Sequence, residues 1–179
     1  MLATIQNYAD RVKAGKAIES RIFHAWQAKL QSRGIKLDLP TATEDKNDKI
    51  DLWLTNPKGK RYSVQVKYRE SGDDIIFEVV KNIQKNLIGR DLASVAQLYF
   101  FVDRSGKGWL YWAKPIKELG EKLAADGLRD LANNPDQTNW VGQGYEMKRR
   151  SDHASGEQKL VAFISPRKFD PIETFEGII

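Results

Sequence analysis

The amino-acid sequence predicts an α/β layered domain, and three patterns carry that prediction. Ile18, Ile22, Trp26 and Leu30 recur every four residues, the spacing that lines side chains along one face of a helix. Residues 50–54 and 62–68 alternate apolar with polar, as half-buried strands do. Leu98, Tyr99, Phe100, Phe101 and Val102 form an unbroken apolar run, which suits a strand covered on both faces. With no internal repeat and no low-complexity tract in 179 residues, one domain over 1–179 is the economical reading.

In chain order, Gly15 separates a short helix over 4–13 from the helix over 18–30, and Gly34 stands where a helix C-terminus favours a left-handed residue. A polar stretch over 41–49 leads into the two alternating strands. Between them, Asn56-Pro57-Lys58-Gly59-Lys60 has Pro to preset the first turn residue and Gly to take positive φ, which predicts a three-residue hairpin loop. That loop fixes the register: Leu54 opposite Tyr62, Trp53 opposite Ser63, Leu52 opposite Val64, Asp51 opposite Gln65 and Ile50 opposite Val66. A four-residue turn would instead slip the pairing and set Asp51 against Val64. A third strand is predicted over 75–80, a helix over 81–93, strands over 97–102 and 109–112, a helix over 114–132 with Pro115 near its start, a polar loop over 133–144 and a last strand over 159–164. The tail beyond Arg167 carries no pattern.

Composition removes several kinds of chemistry. With no cysteine there is no disulfide, thiol nucleophile or Cys-based zinc site, and with two histidines a His-rich metal centre is not expected. Any metal must sit on oxygen. No apolar run approaches the roughly 20 residues of a membrane span, and Asp10 and Arg11 interrupt the region where a signal peptide needs an apolar core, so an intracellular, cytoplasmic protein without a membrane partner is expected. Lys and Arg exceed Asp and Glu by 29 to 24, and a net charge of +5 permits a nucleic-acid partner without requiring one.

The candidate chemistry lies on the hairpin. Asp51, Gln65 and Lys67 share one parity on paired strands, and directly opposed residues have Cβ atoms about 4.5 to 5.5 Å apart, so Asp51 and Gln65 could reach one hard cation. Lys67, next along that face, would hold a phosphate oxygen or orient a water. Trp53 shares the face, which is therefore expected to be covered, with the helix over 18–30 as the candidate cover; Glu19 flanks that helix's apolar stripe. Asp48 is the fallback for Asp51, with the wrong parity. Phosphodiester hydrolysis needs these parts: a cation that polarises the phosphoryl oxygen, and a positive group near the developing charge.

An acid before a strand, a hairpin, and acid-x-Lys on the next strand form the core of the PD-(D/E)XK nucleases, which the sequence resembles at Asp51 and Gln65-Val66-Lys67 over residues 16–102. Ile50 stands where the family's Pro is usual and Gln65 where its acid is usual, a Q-x-K form that occurs among homing endonucleases of the superfamily. The resemblance implies a restriction-endonuclease-like mixed β-sheet flanked by α-helices. It also implies a Mg²⁺-dependent DNA endonuclease, with Mn²⁺ as substitute, in which Asp51 and Gln65 hold the metal, Glu19 assists directly or through water, and Lys67 stabilises the transition state or positions the water. Because Gln65 removes a negative charge, either the cation binds more weakly or Glu19 compensates. Double-stranded DNA is the implied partner, and cutting both strands implies a homodimer or homotetramer. A catalytically inactive nucleic-acid-binding module with the same fold is the alternative.

Arg69, Lys81, Lys85, Arg90 and the Lys148-Arg149-Arg150 cluster are the candidate DNA-binding cations, since phosphate contacts dominate affinity. Gln137, Asn139 and Gln143 in the loop over 133–144 are candidates for reaching base edges. Trp109, Tyr111 and Trp112 read as core, and His24 and His153 as surface residues.

Overall fold

A computed structural model describes residues 17, 19–69, 74–151 and 155–178, without the side chains of 46 and 47. The expected helix over 4–13, Ile18 and His153 lie outside the described residues. Helix α1 (19–31) buries Ile22, Trp26 and Leu30 as its spacing predicts, with Trp26 stacked on Phe100 at 3.9 Å. It ends on Gly34 at φ +68: Gly34 N–H bonds Gln31 O at 3.1 Å and Ile35 N–H bonds Leu30 O at 3.3 Å, the bond pair that a left-handed residue makes possible.

Strand β1 (Lys36–Asp38) and a π-turn (Glu44–Asp48) precede the hairpin of β2 (Leu52–Thr55) and β3 (Arg61–Tyr68). Its loop is the predicted one. Gly59 has φ +79, Asn56 N–H bonds Lys60 O at 2.9 Å, and the Asn56 Oδ1 accepts the N–H groups of Lys58 and Lys60. The ladder pairs Leu54 with Tyr62, Trp53 with Ser63 and Leu52 with Val64, as the turn dictates. It stops there, so Asp51 and Ile50 do not continue it.

The chain then forms β4 (Ile75–Asn82), β5 (Leu87–Ile88), α2 (Arg90–Ala93), β6 (Leu98–Val102), β7 (Gly108–Trp112), α3 (Ala113–Asn133), β8 (Asn139–Gly142), β9 (Tyr145–Ser151), β10 (Gln158–Ile164) and β11 (Glu173–Phe175). Two segments correct the sequence reading. The helix expected over 81–93 is the end of β4, a tight turn, β5 and the short α2. Asn86 takes φ +51, Asn82 Oδ1 accepts Lys85 N–H, and Gly89 lies so close to β4 that a Cβ there would fall 1.9 Å from the Glu78 carbonyl oxygen. The loop expected over 133–144 contains β8, because Trp140 alternates into the core opposite Met147 on β9 and donates its Nε1–H to Asp130 at 3.0 Å. β1 and β11, too short for a periodic signal, close the edges of the first sheet.

The first sheet runs β1-β2-β3-β6-β7-β11, mixed, with β3 parallel to β6; the second runs β5-β4-β10-β9-β8, antiparallel throughout. Successive residues of β3 face opposite ways, and this divides the core. Val64 and Val66 pack with α1, Leu52, Leu98 and Phe100 on one face. On the other face Tyr99, Phe101 and Tyr111 pack against α3 and the second sheet through Phe77, Leu160 and Ala162. Helix α1 therefore covers the Val64 and Val66 face and not, as expected, that of Gln65; the apolar stripe of α1 goes where the apolar parity of β2 and β3 points. No helix among the described residues is long and apolar enough to cross a membrane.

Candidate functional site

The end of β2 decides what Asp51 can do. Its N–H bonds Val64 O at 2.9 Å, which slips the pairing by one residue, and its carboxylate accepts Val66 N–H at 2.7 Å. A strand N–H points in the plane of its sheet, so the carboxylate occupies the gap left where β2 stops. This replaces the expected face-to-face opposition of Asp51 and Gln65. From that gap Asp51 lines an open cleft of about 330 Å³ together with Glu19, Phe23 and His24 of α1, Thr41 and Asp45.

Electrostatics separate this carboxyl from ordinary ones. Burial is the largest effect and raises it, the Val66 hydrogen bond lowers it, Glu19 raises it, Lys67 lowers it and Asp45 raises it; the balance takes it from 3.8 to about 7. Glu19 and Lys67 both act on the Asp51 carboxyl, in opposite directions. Asp48, the fallback acid, ends the π-turn.

Gln65 and Lys67 point to the other face of β3. Gln65 is buried, and among the described residues its Oε1 has no hydrogen-bond partner. Lys67 Nζ forms an ion pair and hydrogen bond with Asp91 of α2. Asp91 is 3% exposed, its Oδ2 accepts Glu78 N–H at 2.7 Å, and its backbone carbonyl accepts the Tyr99 hydroxyl at 2.8 Å. Sequence reasoning missed Asp91, since a helix of four residues gives no periodicity; the one available signal was an acid within a long positive stretch. Lys67 opens, with Arg69, Asp74 and Trp109, on a narrower cleft than that of Asp51.

Hard oxygen donors at this end of the sheet fit a divalent cation in part. A carboxylate that burial makes costly to ionise and an amide oxygen lacking a donor both gain from a positive charge. Among the described residues no three Asp, Glu, His or Cys side chains converge to hold a metal.

The basic candidates divide. Arg69, Lys148 and Arg150 gather around Phe163. Arg149 turns to the opposite face of β9 and donates to Pro135 O at 2.6 Å and Gln158 Oε1 at 3.1 Å, tying the strand to its neighbours. Lys81 is exposed on β4, Lys85 lies 3.7 Å from Glu157, and Arg90 opens α2 with its N–H on Glu78. Of the loop candidates, Gln137 donates to Asn139 O and Gln143 O accepts Lys168 Nζ, both within the region of the β8-β9 hairpin. Tyr111 is core, as expected, whereas Trp112 is half exposed. No family model, curated protein or solved structure matches the chain.

Proposed function

We propose that the chain is a Mg²⁺-dependent DNA endonuclease of the PD-(D/E)XK type, with a restriction-endonuclease-like sheet. The observation that carries this reading is the Asp51 carboxylate at the end of β2, raised by burial to about 7 in an open cleft that Glu19 also lines. Asp51 and the Gln65 amide oxygen would hold the metal, with Glu19 assisting through water from α1. Bound there, Mg²⁺ would polarise a phosphoryl oxygen and acidify a coordinated water. The chain's own residues supply the rest. Val66 N–H fixes the Asp51 carboxylate, and Asp91 holds the Lys67 ammonium at one position beside β3. Arg69, Lys148 and Arg150 provide phosphate contacts, and Phe23 narrows the cleft around Asp51. Cutting both strands of a duplex calls for two such sites, hence a homodimer or homotetramer.

Incubation with supercoiled plasmid and with branched DNA, in Mg²⁺ and in Mn²⁺, tests the reading: wild type nicks or linearises the DNA, and Asp51→Asn does not. Intact DNA under all of these conditions refutes it. The Lys67–Asp91 pair favours a second reading, a silent nucleic-acid-binding module, because a cation neutralised by its own carboxylate offers less charge to a phosphate. That reading predicts salt-sensitive DNA binding without cutting.

A further inference from the structure

Strand β9 carries Lys148 and Arg150 two residues apart, on one face, and β10 presents Phe163 on that same face opposite Glu146. Arg69 reaches the ring from the first sheet, where its N–H prolongs the β3-β6 ladder by bonding Val102 O at 2.9 Å. The three cationic groups lie 5.6 Å (Arg69), 5.5 Å (Lys148) and 5.6 Å (Arg150) from the centroid of this one ring. Three like charges so placed repel one another, and of the three only Lys148 has a carboxylate partner among the described residues. Glu146 pairs with Lys148 at 2.8 Å, and Glu78 engages Lys159 at 3.6 Å. Asp74 shares the cleft beside Arg69, as does Asp103, yet among the described residues no carboxylate lies within ion-pairing distance of Arg69 or Arg150. The Arg69 Nε is buried with no acceptor among those residues.

Planar guanidiniums beside an aromatic ring are the parts that hold a single strand, phosphates on the cations and a base face on the ring. A duplex keeps its base faces stacked and would leave Phe163 unused. Position agrees with this. Arg69 follows Lys67 by two residues, about 7 Å along an extended strand, and lines the same cleft.

We propose that Phe163, with Arg69, Lys148 and Arg150, binds a single-stranded segment of the DNA substrate, so that the enzyme takes flapped, overhanging or branched DNA in preference to plain duplex. This rests on the endonuclease reading for its substrate, but its test does not depend on cleavage. Anisotropy of a short fluorescein-labelled oligothymidine and of a blunt duplex of equal length is measured in EDTA across a salt series. Wild type binds the single strand more tightly, Phe163→Leu weakens it by about 5- to 140-fold for one lost base stack, and Arg150→Gln lowers the log–log salt slope by about 0.7. Circular dichroism checks that both variants fold. Equal affinity for strand and duplex, or variants that bind as wild type does, overturns the proposal. A protein that binds single strands in this way but never cuts keeps the inference and loses the endonuclease reading; one that cuts with an indifferent Phe163 does the reverse.

Discussion

Replacing Asp51 with asparagine removes a charge that the fold holds at a cost while keeping an oxygen that can accept Val66 N–H. The folded carboxyl gives up its proton near pH 7, the unfolded one near 3.8, so between those values the native state carries a proton that the unfolded chain has lost. A group raised in this sense contributes stability that is full below about pH 4 and lost as the pH climbs through 7. About three pH units at 1.36 kcal/mol each set an upper bound of about 4 kcal/mol, or about 8 to 16 °C in Tm for a chain of this length. The amide that replaces the carboxyl does not titrate. Thermal and urea melts in EDTA should therefore show wild type and Asp51→Asn nearly equal at pH 4, with the variant more stable by about 1 to 4 kcal/mol at pH 8. Since the same variant is expected to lose cleavage, it trades function for stability, as site residues commonly do. A difference that does not grow between pH 4 and pH 8, or a variant less stable at pH 8, refutes the claim that burial dominates this carboxyl.

Asp91→Ala leaves the Lys67 ammonium without its partner in a largely buried position and frees Glu78 N–H, which should cost about 3 to 5 kcal/mol in urea denaturation; a loss under about 1 kcal/mol would mean that Lys67 escapes to solvent. Gly89→Ala places a Cβ 1.9 Å from the Glu78 carbonyl oxygen, so backbone must move. A loss of more than about 2 kcal/mol is expected, and an alanine variant as stable as wild type would show that α2 is free to shift away from β4.

Much of the hairpin was legible because its information is local. Asn56, Pro57 and Gly59 set a loop length, the loop sets a register, and the apolar parity of Leu52, Leu54, Val64 and Val66 agrees with it. The parity also showed which face would be apolar, yet assigning α1 to the polar face ignored its own stripe of Ile22, Trp26 and Leu30, which has only apolar partners to seek. What local pattern could not show was where β2 ends. A strand end has no periodic signature, and one slipped hydrogen bond moves Asp51 from a face of the sheet into its plane. β8 was hidden for another reason: Asn139, Gly142 and Gly144 read as loop residues, while the single buried Trp140 carries the strand.

Charge pairing around β3 gives Gln65 a physical role. A lysine acting alone beside Asp51 would favour its ionisation, but Asp91 neutralises Lys67, and burial prevails. A glutamate in place of Gln65 would add a buried negative charge on the Lys67 face of β3, where Asp91 is already buried, and burial penalises each further charge. A neutral amide avoids that cost and does not compete with Asp91 for Lys67. Gln65 and Lys67 share one face of β3, and the carboxylate that holds the lysine stands on α2.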